Sequence, residues 1–248
     1  MSIDTPRAAD PQPESVPAVS IVVPVYNEEA TIGAVVTQLL AVPMSAEVVV
    51  IDDGSSDGTA QVLEAFAGRV VYRRLERNQG KGAALRYGFA LARGQVVVVQ
   101  DADLELSPHL VVELAAPILS GVADVVYGSR FLTAAHAVPW ARRLANRFLT
   151  QVTNLLYGTR LTDMETAHKA VRADLLPRLD LRSDRFEIEV ELTTKLARSD
   201  ARFHEIASPY SPRSRDEGKK IGFSDGLLAL RALMRYLRWR PAASRPPV

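Results

Sequence analysis

The sequence has no cysteine among its 248 residues. Disulfide bridges and thiolate metal sites are therefore excluded, and a reducing compartment is compatible with the sequence. Apolar runs are short, and none approaches the roughly 18 to 20 residues of a transmembrane helix. Residues 1–17 lack the apolar stretch of a secretory signal and are rich in proline, alanine and acids, which predicts a disordered arm. We expect a cytoplasmic protein, at most peripherally associated with the inner face of the cell membrane.

The sequence also has almost no net charge, because its 30 basic and 29 acidic residues leave a formal charge of +1. The basic stretch RALMRYLRWR is one helix without a wider basic surface, so we expect no nucleic-acid partner. With 47% hydrophobic and 24% charged residues, the composition is that of a soluble globular protein. We predict one domain over residues 18–225, followed by an amphipathic basic helix and tail over residues 226–248.

Short apolar runs alternate with helical patterns through the first half of the chain. Strands are predicted at AVSIVVPVYN, ending at Pro24, and at AEVVVIDDGS, RVVYRRLE, QVVVVQ and ADVVYGSR. Continuous valine and isoleucine runs separated by helices indicate an α/β fold, with a mostly parallel sheet covered by helices on both faces. A polar cluster follows each of these strands. Because such sheets bind ligands at the carboxyl ends of their strands, the five clusters predict a single site.

Three acids, Asp101, Asp103 and Glu105, follow the fourth strand at alternate positions. On an extended chain all three would point the same way, which brings like charges together. A hard cation such as Mg²⁺ or Mn²⁺, which takes carboxylate and phosphate oxygens, explains such a cluster. The alternative is a solvated turn whose acids favour the N-terminus of the next helix. The strand-end position and the four accompanying clusters favour the metal site.

Two further clusters suggest contacts to a nucleotide. In RNQGKGAALRYG, Gly80 and Gly82 flank Lys81 at a helix start, where free N–H groups attract anions; the alternative is a glycine turn with a surface lysine. The spacing of a Walker loop is missing, and no G-x-G-x-x-G follows the first strand. In VIDDGSSDG, Asp52 and Asp53 are candidates to accept hydrogen bonds from a base or ribose, or else to cap a turn.

Four motifs together resemble the family-2 inverting glycosyltransferases of the GT-A fold over roughly residues 19–132: VVPVYNEEATI, VIDDGSSDGT, RNQGKGAALRYGF and DADLELSP. The resemblance implies a nucleotide-diphospho-sugar donor, with Lys81 near the pocket of its base. Residues implied around the base are Pro24, Tyr26, Glu28 and Asp52. The resemblance also implies that Asp101 and Asp103 face the sugar diphosphate and metal. Glu105 falls where dolichyl-phosphate mannose synthases have another metal-contacting side chain.

Motifs of the second half, YGSRF, LTDMETAHKAVR and YSPRSRDEGKKIGFSDGL, look like those of polyprenyl-phosphate sugar transferases. The resemblance implies a polyprenyl or dolichyl phosphate acceptor, with GDP-mannose as the favoured donor and UDP-glucose next. The basic side chains implied to hold phosphate are Arg130, Arg213, Arg215, Lys219 and Lys220. One departure is His168, where relatives usually carry an aromatic residue, and we interpret this histidine as structural.

The acceptor decides the mechanism. A sugar hydroxyl needs a positioned base, whereas a phosphomonoester is already largely dianionic at neutral pH and needs cations. We therefore expect the metal at Asp103 to stabilise the leaving nucleoside diphosphate while Arg130 and Arg213 hold the attacking phosphate. Asp163 is the candidate base if the acceptor is a hydroxyl. Two alternatives remain open: a transferase acting on a sugar hydroxyl, and an inactive nucleotide-binding scaffold.

Two amphipathic segments predict a peripheral membrane contact. SDGLLALRALMRYLRWR spaces apolar residues as a helix does, with arginines interleaved: Leu227, Leu230, Met234 and Leu237. WARRLANRFLTQVTNLLYG offers a second stripe that would line a route for the lipid chain: Trp140, Leu144, Phe148, Val152 and Leu155. The alternative is that both helices pack on the domain or form a contact in a homo-oligomer.

Overall fold

The computed structural model of the chain describes residues 16–133, 138–212 and 223–241. Most of the arm predicted over residues 1–17 therefore lies outside the described residues. The same holds for four of the predicted phosphate-binding side chains, which are Arg213, Arg215, Lys219 and Lys220.

The described chain alternates strands with helices. The strands are β1 (Val19–Val25), β2 (Ala46–Asp52), β3 (Val71–Arg74), β4 (Val96–Val99), β5 (Val125–Ser129), β6 (Lys169–Arg172) and β7 (Phe203–Ala207). The α-helices are α1 (Ile32–Leu40), α2 (Thr59–Glu64), α3 (Lys81–Leu91), α4 (Val111–Leu119), α5 (Trp140–Tyr157), α6 (Glu187–Ala197) and α7 (Phe223–Tyr236). Short 3-10 helices span Pro108–Leu110 and Ala173–Leu179.

All of these strands form one sheet in the order β3-β2-β1-β4-β6-β5-β7. The first four in that order are parallel, β6 runs antiparallel to both β4 and β5, and β7 is parallel to β5. The predicted α/β fold with a mostly parallel sheet is confirmed. The carboxyl ends of β1, β2, β3 and β4 meet at one edge, so the polar clusters that follow them are neighbours.

Alternate residues of the central strands enter different cores, which explains the uninterrupted valine runs. Ile21 and Val23 face a first core formed with α1, α2 and α4. Val22 faces a second core formed with α3, α5, α6 and α7. Both faces of the sheet are covered, as the sequence predicts.

The prediction that the first strand ends at Pro24 is wrong, because β1 continues to Val25. The ladder between β1 and β4 stops at Val22, whose carbonyl accepts the N–H of Gln100. Backbone groups of residues two apart on a strand point to the same side, so those of Val22 and Pro24 both point toward β4. The strand β4 ends before it reaches the level of Pro24. The missing N–H of Pro24 therefore costs no ladder hydrogen bond.

The expectation of an extended acidic segment is also wrong. β4 ends at Val99, and residues 102–105 form a turn and bend in which Leu104 has a positive φ of 59°. The three acids therefore do not line one face of a strand.

The last helix packs on the domain. Leu233 is 0% exposed in the second core, and its carbonyl accepts a hydrogen bond from the hydroxyl of Tyr157 on α5. Leu230 and Trp239 pack against the same core, whereas Met234 is exposed. The described part of α7 thus follows the packing alternative rather than the lipid-interface one. Among the described residues, no helix is both long and apolar enough to cross a bilayer.

We expect Leu233→Ala to lower the free energy of unfolding by about 2–5 kcal/mol, because it leaves a cavity in the second core. Met234→Ala is the matched control on the same helix, and we expect a change within about 0.5 kcal/mol because its side chain is exposed. Urea titration followed by circular dichroism measures both values. A loss of similar size in the two variants, or in neither, would contradict the packing of α7.

Candidate active site

The loops after β1 and β2 are hydrogen-bonded to each other at the carboxyl ends of the strands. The N–H of Asn27 donates to Ser55 Oγ at 3.0 Å, and the N–H of Ser56 donates to Asn27 Oδ1 at 2.8 Å. The N–H of Glu28 donates to Thr59 Oγ1 at 2.9 Å. Asn27 has a φ of 54°, a conformation that asparagine tolerates better than most residues. These bonds hold the backbone that carries Tyr26 and Glu28, two of the predicted base-contacting residues, beside the loop after β2.

Asp52 and Asp53 are buried and hold neighbouring loops. Asp52 accepts hydrogen bonds from the N–H of Ser55 at 2.8 Å and from the hydroxyl of Tyr72 at 3.1 Å. Asp53 accepts the N–H of Gln79 at 2.8 Å and that of Gly80 at 2.7 Å. The second aspartate thus binds the glycine turn before α3 to the end of β2. Contacts of either residue to a base or ribose remain predictions.

Lys81, the first residue of α3, lies between two acids. Its Nζ is 2.7 Å from Asp101 Oδ1 and 3.0 Å from Glu189 Oε1 of α6. Burial by itself lowers the pKa of Lys81, but the attraction of Asp101 and Glu189 outweighs burial and raises that pKa above its usual range. The lysine therefore remains a cation at the end of β4. It lies beside the segment of Asp101, Asp103 and Glu105, which is called the acidic turn below.

The acidic turn reaches the strand edge from β4 and is linked to the segment after β7. The N–H of Glu105 donates to Asp103 Oδ1 at 3.2 Å, and the hydroxyl of Tyr210 donates to Glu105 Oε2 at 3.3 Å. Among the described residues, no group of three His, Cys, Asp or Glu side chains is arranged so that it could hold a metal ion. A Mg²⁺ ion needs only one or two carboxylates, with phosphate oxygens and water as its other ligands, so these oxygen donors fit such an ion.

Arg130 and Asp163 form an ion pair next to this turn. Arg130 donates from Nε to Asp163 Oδ2 at 2.7 Å and from Nη2 to Oδ1 at 2.8 Å. Asn146 on α5 donates to the same carboxylate at 2.8 Å, and Asp163 is 0% exposed. The guanidinium also lies 5.6 Å from the ring centroid of Tyr210, which connects it to Glu105. The structure thus brings Arg130 to the acidic turn and leaves Asp163 bound on both oxygens.

A buried hydrogen-bonded chain supports the acidic turn from below. Gln100 donates through Nε2 to the carbonyls of Asp101 and Leu106, both at 3.1 Å. Its Oε1 lies 2.8 Å from Nε2 of His168, whose Nδ1 is 3.3 Å from Ser208 Oγ. His168 therefore stabilises the acidic turn by holding Gln100 in place. This is a structural role, as interpreted from the sequence. Burial lowers the pKa of His168 to about 4, so the ring is neutral at pH 7.

Sequence reasoning missed three residues that shape the site: Gln100, Glu189 and Tyr210. Glu189 lies on α6, far along the chain from Lys81, and the segment EIEVELTTKLA around it gives no sign of which cation it binds. Glu165 was also missed; burial raises its pKa to about 7, against the attraction of Lys169 and Arg130.

Comparison with known proteins identifies the class to which this fold and site belong. Residues 20–179 match the model of glycosyl transferase family 2. The match covers more than half of the chain, and the chain belongs to this family. The chain thus belongs to a family of glycosyltransferases, and its sheet is that of the GT-A fold.

Two curated relatives illustrate the similarity. Over 233 residues, the chain is 28% identical to the undecaprenyl-phosphate mannosyltransferase of Micrococcus luteus, covering 90% of this chain and 93% of that protein. Over 166 residues, it is 31% identical to the undecaprenyl-phosphate 4-deoxy-4-formamido-L-arabinose transferase of Aeromonas hydrophila, covering 64% of this chain. That alignment covers 50% of the second relative, so the chain spans about half of its length.

Among solved structures, glucosyl-3-phosphoglycerate synthase from Mycobacterium tuberculosis in complex with UDP aligns with a TM-score of 0.69 and 26% identity. The alignment covers 92% of this chain and 82% of that one. A second structure of the synthase, which holds Mn²⁺, UDP and glucosyl-3-phosphoglycerate, aligns with a TM-score of 0.67 and 24% identity.

The depressed pKa of His168 predicts a pH-dependent stability. Between the unfolded value of 6.5 and the folded value of about 4, the unfolded chain binds a proton that the native protein does not. Stability should therefore fall as the pH falls through this window, by up to about 3 kcal/mol for this one group. Urea unfolding at pH 7 and pH 4, for the wild type and His168→Gln, measures the difference. If the difference in unfolding free energy between the two proteins were the same at pH 7 and pH 4, His168 would take up a proton in the native protein as readily as in the unfolded chain, contrary to the prediction.

Proposed function

We propose that the protein transfers a hexose from a nucleotide-diphospho-sugar to a polyprenyl phosphate with inversion of the anomeric carbon. GDP-mannose is the favoured donor and UDP-glucose the next. The similarity to the Micrococcus luteus mannosyltransferase, which extends over most of both chains, supports a lipid-phosphate acceptor.

The observation that carries the proposal is the state of Asp163. A hydroxyl acceptor needs a base that can take its proton, but both oxygens of Asp163 already accept hydrogen bonds, from Arg130 and Asn146. A phosphate dianion carries no such proton and needs cations, of which Arg130 and Lys81 lie at this edge of the sheet. The arrangement therefore supports a phosphate acceptor over a sugar hydroxyl.

In the proposed reaction, an oxygen of the acceptor phosphate forms a bond to the anomeric carbon from the face opposite the leaving group. The bond between that carbon and the diphosphate oxygen breaks, and its electron pair leaves with the nucleoside diphosphate. Arg130 would orient the acceptor phosphate, and Arg213, Arg215, Lys219 and Lys220, which lie outside the described residues, remain predicted to assist it.

Two of the acids Asp101, Asp103 and Glu105, with phosphate oxygens and water, would hold a Mg²⁺ or Mn²⁺ ion, and the synthase structure with Mn²⁺ and UDP supports metal use. Such an ion would stabilise the negative charge of the departing diphosphate. Lys81 would add a second positive charge near the same phosphates, since its ammonium contacts Asp101.

The assay combines undecaprenyl phosphate with GDP-mannose or UDP-glucose and measures release of nucleoside diphosphate. We expect Asp103→Asn to keep the fold and to lower kcat/KM by about a hundredfold, because a neutral amide replaces one anionic metal ligand. Asp174→Asn, an exposed acid at the opposite edge of the sheet, is the control and should retain activity. Full activity of Asp103→Asn, or in excess chelator, would contradict the metal assignment, and stimulation by a free sugar instead of lipid phosphate would favour the hydroxyl acceptor.

A peripheral membrane contact belongs to the same proposal. Helix α5 buries polar residues, including Asn146, Thr150 and Thr153, and leaves a stripe of large apolar side chains exposed. The stripe consists of Trp140, Leu144, Phe148 and Leu155, which are 74%, 63%, 57% and 85% exposed. Exposed arginines flank it at Arg142, Arg143 and Arg147. An exposed apolar stripe beside basic groups suits an anionic membrane surface.

We expect the protein to float with vesicles of phosphatidylcholine, phosphatidylglycerol and undecaprenyl phosphate at low salt, and less at high salt. The double variant Leu144→Glu with Phe148→Glu should lose flotation, because charged groups replace the apolar stripe. Val122→Glu changes an apolar residue that is 64% exposed elsewhere, and this control should float as the wild type does. Failure of the wild type to float at low salt would refute the membrane contact.

A further inference from the structure

A chain of four alternating charges runs from the acidic turn into the protein interior. Asp101 contacts Lys81, Lys81 contacts Glu189 at 3.0 Å, and the other oxygen of Glu189 binds the ammonium of Lys169. Two anions and two cations balance one another. Glu189, at the centre of this chain, is the one anion that contacts both lysines.

Burial makes that balance necessary. The side chains of Lys169, Glu189, Lys81 and Asp101 are 0%, 7%, 11% and 14% exposed. An unpaired charge at such depth costs several kcal/mol, whereas a paired one is tolerated. When Lys81 releases Asp101, Glu189 remains beside the ammonium as a buried counter-ion.

The backbone of residues 183–185, just before α6, packs closely against the glycine turn that contains Lys81. A Cβ on Gly80 would lie 2.4 Å from the carbonyl oxygen of Asp184, and one on Gly82 would lie 2.3 Å from that of Ser183. The Asp184 carbonyl also accepts the N–H of Ala83 at 3.0 Å. The two glycines that flank Lys81 are thus needed for the close approach of residues 183–185. This contact and the carboxylate of Glu189 hold the lysine from two directions.

We infer that Glu189 is a positioning residue for the donor site: it holds Lys81 in place and lets Asp101 exchange its ion pair for the donor diphosphate and its metal. The inference rests on the proposed function. Without the Glu189 carboxylate, Lys81 would bind Asp101 more firmly, and the donor would have to break that pair to reach the acid. The expected defect is therefore in donor binding.

Titration calorimetry with UDP and with GDP, in Mn²⁺ and in chelator and without any lipid, tests this role. Glu189→Gln alone leaves Lys169 buried without its anion and risks misfolding, so the informative pair is Lys169→Met and Lys169→Met with Glu189→Gln. We expect the double variant to bind the nucleoside diphosphate in Mn²⁺ about tenfold more weakly than Lys169→Met. In the sugar-transfer assay, the donor KM should rise by a similar factor while kcat changes less.

The control is Glu47→Gln, which makes the same substitution in an equally buried acid that pairs with Arg93 at the opposite edge of the sheet. It should bind the nucleoside diphosphate as the wild type does, even where its unfolding free energy falls. Equal binding by Lys169→Met and the double variant would overturn the role of Glu189. A weakening by Glu47→Gln equal to that of the double variant would also overturn it, because affinity would then follow stability. If the wild type bound neither nucleotide, the proposed function itself would fail.

Discussion

Compensation of buried charge at the carboxyl edge of the sheet is the constraint on which the rest of the structure depends. The central strands β1, β2 and β4 are largely apolar on both faces, so most functional groups lie where these strands end, and there they are largely withdrawn from water. Asp53 is compensated by backbone N–H groups, Asp163 by Arg130, and Asp101 by Lys81. Each compensating bond also connects one loop to another, so charge balance and loop placement have the same origin.

Local patterns in the sequence were sufficient for the first five strands of the sheet. Valine runs separated by helices specify buried parallel strands, and the polar residues after them specify the edge that carries the site. The strands β6 and β7 were not predicted, because their short segments KAVR and FHEIA mix polar and apolar residues. Pro24 was misread because the end of a ladder depends on how far the neighbouring strand extends, which a single segment does not record.

The site was predictable by residue type but not by partner. The sequence pointed to Lys81 and Asp101, yet nothing local indicates that they bind each other or share Glu189. Those contacts arise from the packing of α3 against α6, which joins segments about a hundred residues apart. Likewise, the turn at Leu104 requires a positive φ in a residue that does not favour one, so tertiary contacts such as those of Gln100 must stabilise it.

The packing of residues 183–185 against the glycine turn also indicates how long a segment of the chain the site needs. The family match ends at residue 179, before α6, β7 and α7. A fragment cut there would keep the acidic turn and Lys81 but would lose one of the two counter-ions of that lysine, the edge strand beside β5 and one wall of the second core. The segment matched by the family model is therefore smaller than the segment whose packing supports the site, which extends at least to the helix that contains Leu233.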